Sequence, residues 1–171
     1  MLSIKVTGMA EVVRVLKDID NDIVKQARRD LRTAAQPMVR AIKSNIPSES
    51  PLIGMQHAGR TGWDSSAVKV TTRTNFSKKA EKKGFQLVSV VVGTRGKSVR
   101  GSAAFQIADM SGKTSSGNTR SGKAMIRKLN TINRASRFVY PVALRELPTI
   151  EKSVRDTIRK LQNDYNKRLK R

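Results

Sequence analysis

Few side chains in this sequence could do chemistry. His57 is the only histidine in 171 residues and lies in the stretch Gly54-Met55-Gln56-His57-Ala58-Gly59. An imidazole base needs a nucleophile on one side and an orienting acid on the other. The Gly-rich stretch around His57 offers no obvious triad partner, so His57 reads as an exposed loop residue. The chain has no cysteine, which removes disulfides and thiolate metal sites, and a single histidine cannot form a His cluster. The 13 carboxylates are scattered, mostly among Lys and Arg, and no pair stands out as a general acid and base. Gly112-Lys113-Thr114 has the ending of a phosphate-binding loop, but the loop's opening glycine would have to stand where Ile107 does. Gly122-Lys123-Ala124 lacks the final hydroxyl. The chain therefore reads as non-enzymatic, with no catalytic, cofactor or metal site.

Charge is the stronger signal. Lys and Arg number 35 against 13 Asp and Glu, for a net charge of +22. Solubility alone calls for roughly 2–8 charges on a small domain. An excess of this size constrains partners more than fold: it attracts nucleic acid, an anionic membrane or acidic protein surfaces. The cations read as lying in loops are Lys78, Lys79, Lys82, Lys83, Arg95, Lys97, Arg100, Lys113, Arg120 and Lys123. They suit contact with phosphates without reading base sequence, and equally suit pairing with carboxylates of a neighbouring subunit. Aromatic residues are 4% of the chain, with no strand rich enough in them to stack single-stranded bases.

The elements that must position these cations follow from periodicity. Ile4-Lys5-Val6 reads as a short strand, with a helical pattern beginning near Met9. Ile23, Ala27, Leu31, Ala34, Met38 and Ile42 recur by threes and fours, with Arg and Lys largely between them, which defines an amphipathic helix. It should kink or break near Pro37 and stop before Pro47. Residues 48–64 form a loop, with Trp63 expected at the edge of the core where its ring N–H finds a partner. Strands are expected over 67–74, 85–93 and 103–108, and a short helix over 124–130. Flexible basic loops are expected at about 76–84, 95–102 and 111–123. A final helix with the stripe Ile150, Val154, Ile158, Leu161, Tyr165 and Leu169 should start at Pro148. The expected class is α+β in a single domain over 1–171: a small antiparallel sheet of short strands packed with a long N-terminal helix, kinked near Pro37, and a long C-terminal helix. The N-terminus has no charged segment followed by an apolar one, and no apolar run approaches bilayer length. An intracellular protein without membrane association is the expectation.

Three stretches resemble the neck or tail-completion proteins of long-tailed bacteriophages, a family related to minor tail protein Z. The first runs from Gly8-Met9-Ala10-Glu11 through Ala34-Ala35-Gln36-Pro37-Met38-Val39 to Ala41-Ile42-Lys43-Ser44-Asn45-Ile46-Pro47. The second is Gly59-Arg60-Thr61-Gly62. The third is Met125-Ile126-Arg127-Lys128-Leu129-Asn130, then Arg137-Phe138-Val139-Tyr140-Pro141 and a C-terminal helix. The chain departs from the family pattern in its extra basic loops at 95–102 and 111–123. The resemblance implies a structural virion protein of the head–tail neck, made in the host cytoplasm. It implies a homo-oligomeric ring, six-fold, that joins the head connector and head-completion proteins to the tail-terminator and tail-tube proteins around the DNA passage, with non-specific DNA contact in the lumen. The alternative is a sequence-nonspecific nucleic-acid-binding protein of ribosomal or nucleoid type.

Overall fold

The apolar stripe between Ile23 and Ile42 folds as two successive helices, α1 (Asn21–Ala34) and α2 (Gln36–Ser44), separated by a turn at Ala35. Pro37 explains the interruption. It has no N–H to give the carbonyl of Thr33 and is tolerated because it falls in the first turn of α2. The amide of Ala35 is shared between the carbonyls of Leu31 and Arg32, which tightens the join. Ala27, Leu31, Ala35, Met38, Val39 and Ile42 are buried, while Lys25, Arg28, Arg29, Arg32, Arg40 and Lys43 are exposed.

The computed structural model describes residues 2–4, 21–59, 61–74, 88–94, 101, 103–112 and 120–169; of 2–4, 21–24, 120–121, 165 and 168–169 only the backbone is described. The remaining elements are β1 (Leu2–Ile4), β2 (Val68–Thr74), β3 (Val88–Thr94), α3 (Ala104–Met110), α4 (Arg120–Ile132) and α5 (Tyr140–Leu169), with single 3-10 turns at Ile53–Met55 and Ser65–Ala67. The fold is mixed α+β, with a small sheet of short strands and a long C-terminal helix. The expected helix near Met9 and the part of the second strand at 85–87 lie outside the described residues.

The chain divides into two compact units. The first comprises 1–40, 71–91 and 146–171, and the second 41–70 and 92–145. The first holds α1, the described core of the sheet and most of α5. The sheet order is β1-β3-β2. β1 runs antiparallel to β3, with Leu2 opposite Val90 and Ile4 opposite Val88. Val88 and Val90 are buried. The stripe of α5 is buried as expected at Ile150, Val154, Ile158 and Leu161.

Two expectations are corrected. Residues 103–108 are not a strand: 104–110 form α3. Ala is the strongest helix former, and Ala104, Phe105 and Ala108 are buried at helical rather than alternating spacing. The third strand of the sheet is β1 instead. The last helix does not start at Pro148, which lies inside α5; it starts at Tyr140, and Pro141 takes the first-turn position that suits proline.

The second unit is built on Met55, Trp63, Ala104, Phe105, Ala108, Leu129 and Phe138, flanked by Ile46, Leu52, Val68, Val92, Ile107, Met125 and Val139. No helix of the described residues is long and apolar enough to cross a membrane.

Candidate interaction surface

Trp63 and Phe138 organise the second unit. Their rings meet edge to face at 6.2 Å, and Phe105 lies 6.4 Å from Phe138. Such pairs add about 0.5–1.5 kcal/mol beyond their burial. Trp63 donates its ring N–H to the carbonyl of Pro47 at 3.0 Å, as expected of a core-edge tryptophan, and Asn45 donates to the carbonyl of Phe138 at 2.8 Å. The stretch before Trp63 is a tight turn. The Gly62 amide bonds the Gly59 carbonyl at 2.8 Å, and the Trp63 amide bonds Met55. His57 belongs to that turn: its Nδ1 accepts from the Gly59 amide at 3.1 Å, so in the neutral ring Nε2–H donates to Thr61 Oγ1 at 3.0 Å. Both ring nitrogens thus have partners inside the loop.

Two buried residues of opposite charge, Asp109 and Arg137, adjoin Phe138 of the aromatic cluster. Arg137 is 3% exposed and Asp109 4%. The guanidinium serves the ends of two helices. Nη1 donates to the carbonyls of Ala108, Asp109 and Ser111, at the C-terminus of α3. Nε donates to Leu129 and Nη2 to the Asn130 side chain, at the C-terminus of α4. Helix ends leave carbonyls without partners and carry partial negative charge, so a planar five-donor cation there answers both needs. The Asp109 carboxylate accepts from the Phe138 amide at 2.7 Å. Ser136, at φ 68°, turns the chain so that its own amide and that of Arg137 both reach the Asp109 carbonyl.

Burial pushes the Asp109 carboxyl above its ordinary 3.8, against the opposing pull of the Phe138 and Val139 amides and of Arg137. Burial lowers Arg137, with the Asp109 charge opposing. Because the folded carboxyl binds its proton more tightly than the unfolded one, its contribution to stability is fully present below about pH 3.8 and is lost as pH rises through the folded value. Urea unfolding of the wild type across acidic pH should therefore contain a component that falls with rising pH. In Asp109→Asn that component should be missing, and identical pH profiles for the two proteins would refute the assignment.

With Asp109 inside and Asp64 capping the turn at Ser65–Ala67 through the Ser66 amide and hydroxyl, the second unit has little surface carboxylate to set against its cations. It contains three carboxylates, of which Glu49 is the exposed one. Between Asp109 and Glu146 the sequence has eight Lys and Arg and no Asp or Glu. Helix α4 displays this imbalance directly. Gly122, Met125, Ile126 and Leu129 recur at helical spacing on its inner side, Leu129 fully buried, while Lys123, Ala124, Arg127, Lys128 and Thr131 are exposed.

Of the ten cations named from sequence, Lys78, Lys79, Lys82, Lys83, Arg95, Lys97, Arg100 and Lys113 lie outside the described residues. Arg120 is the first residue of α4, and Lys123 is exposed on that helix. The loop expected at 111–123 is thus corrected at its end, where helix begins at 120. The loops expected at 76–84 and 95–102 fall outside the described residues except for Gly101. Arg127, Lys128 and Arg134 were missed as surface cations; the absence of carboxylates around them was the available signal. Arg137 gave none, because its partners are mostly backbone carbonyls from distant positions. Among the described residues no group of three or more His, Asp or Glu is placed to hold a metal.

No protein-family model, curated protein or solved structure matches the chain.

Proposed function

We propose that the chain is a structural subunit of the head–tail neck of a long-tailed phage, assembling into a ring between the head connector and the tail around the DNA passage. One observation supports this above the others: the three stretches that resemble neck and tail-completion proteins meet at one place. Asn45 and Pro47 end the first, Trp63 directly follows the second, and Phe138 lies in the third; they are joined by two hydrogen bonds and a ring contact. Parts of all three patterns, at Asn45 to Pro47, beside Trp63 and at Phe138, thus pack together within the second unit. The cationic surface of the second unit fits an assembly role, since charge left without partners within a subunit is available to neighbours. A head-to-tail ring gives each subunit two different contact surfaces.

The test is composition. Mass spectrometry of purified tailed particles from the encoding phage is expected to find the chain at a fixed copy number, and cryo-electron microscopy to place it at the neck. Its absence from particles would sink the reading. Recovery with ribosomes or bulk nucleoid instead would favour the general nucleic-acid-binding alternative.

A further inference from the structure

We infer that the outer face of α4, with Lys123, Arg127 and Lys128 and the following Arg134, binds the phosphate backbone of duplex DNA without reading its sequence. The inference deepens the neck reading by naming the element that meets DNA. At about 100° per residue, Lys123, Arg127 and Lys128 spread over roughly 140° of the helix, and all four cations are exposed. None of the four forms an ion pair with another described residue. Within the arc from Lys123 to Lys128 the other exposed positions are Ala124 and Thr131, small or polar. Asn130 flanks it on one side, and on the other the half-exposed Ile132 at the helix end lies about 40° beyond Lys128.

That composition decides between the two partner chemistries. Protein interfaces place large apolar or aromatic anchors at their centre and deplete charge there. This face has cations spread across it with Thr131 and Ala124 between them, and its one large apolar residue, Ile132, lies at the margin rather than the centre, which is the composition of a surface that neutralises phosphates and positions a backbone. The support beneath it is rigid. Leu129 is fully buried, and Arg137 holds the carbonyl of Leu129 and the side chain of Asn130, so the cations are presented on an ordered helix.

Each phosphate contact contributes about −0.9 to the slope of log affinity against log salt. The experiment compares the full chain with Lys123→Gln/Arg127→Gln on a short mixed-sequence duplex between about 50 and 200 mM salt. The variant should keep the wild-type circular dichroism, and its slope should be shallower by about 2. The wild type should then lose about 12-fold more affinity over that range than the variant. Lys152→Gln/Arg159→Gln on α5 removes the same charge from other exposed positions and should change the slope less. An unchanged slope in the α4 variant, or an equal change in the α5 variant, overturns the inference. So does loss of binding to poly-glutamate with duplex binding intact, which would assign the face to an acidic protein. None of these outcomes touches the ring reading, which fails only on particle composition.

Discussion

Replacing Arg137 by alanine is expected to lower the stability of the protein by about 3–5 kcal/mol, the range for breaking a buried charge pair from one side. The loss has three sources. Four backbone carbonyls lose a donor, those of Ala108, Asp109 and Leu129 in a buried setting and that of Ser111 in a partly buried one. The Asp109 carboxylate loses its compensating charge, and the space left by the side chain stays partly empty. Domains of ordinary size have about 5–15 kcal/mol in total, so this single change removes a large part of it. With a urea dependence of about 1–3 kcal/mol/M, the unfolding midpoint should fall by about 2 M. Arg137→Lys keeps the charge but presents three donors from a point rather than a planar fork, so it should fall between alanine and wild type. A midpoint for the alanine variant within error of wild type would show that the two helix ends hold without the guanidinium.

Gly62→Ala should be the second severe change. A β-carbon on Gly62 would lie 1.7 Å from the carbonyl oxygen of His57, 2.8 Å from its carbonyl carbon and 3.0 Å from the Gly59 oxygen. All three are backbone atoms, so no rotamer change relieves the clash and the turn must open. Overpacking of this kind costs about 1–3 kcal/mol and occasionally more; the depth of this overlap puts it at the upper end. Opening the turn also moves Trp63 away from Pro47 and Phe138. Trp63 is the only tryptophan, so its emission reports on this one place: a red shift in the native state should accompany the lower midpoint. Gly54→Ala is the matched control, because its added carbon meets nothing within 4 Å and should change stability by no more than about 0.5 kcal/mol. Equal behaviour of the two variants would falsify the packing argument.

The long helices were legible in the sequence because each has an apolar stripe repeated over several turns, and burial of Leu31, Met38, Ile150 and Val154 follows that repeat. Their ends were less legible. Pro141 and Pro148 are both acceptable as first-turn residues, and local sequence does not show which of them starts α5. Residues 103–108 were misread because a short apolar run suits a buried strand or a buried helix turn equally. Trp63 was placed correctly from its chemistry alone, since a buried ring N–H requires an acceptor. Arg137 could not be anticipated in the same way. In sequence it stands beside Phe138 and Val139 as one more cation in a basic chain; its burial depends on two helix ends that converge only in the folded unit. The fold class was therefore visible early, while the charge pair that orders the candidate surface was not.

The bonds made by Arg137 also bear on how this chain tolerates sequence change. Four of its five partners are main-chain oxygens, which every residue type supplies. Positions 108, 111 and 129 are thus constrained by packing or by nothing, but not by the guanidinium. In a saturation library scored for folding, position 137 should accept almost no replacement, while Ser111, which offers only its carbonyl, should accept most. A node of this kind ties two helix ends together at the cost of one fixed letter in the sequence and leaves its neighbours free to drift.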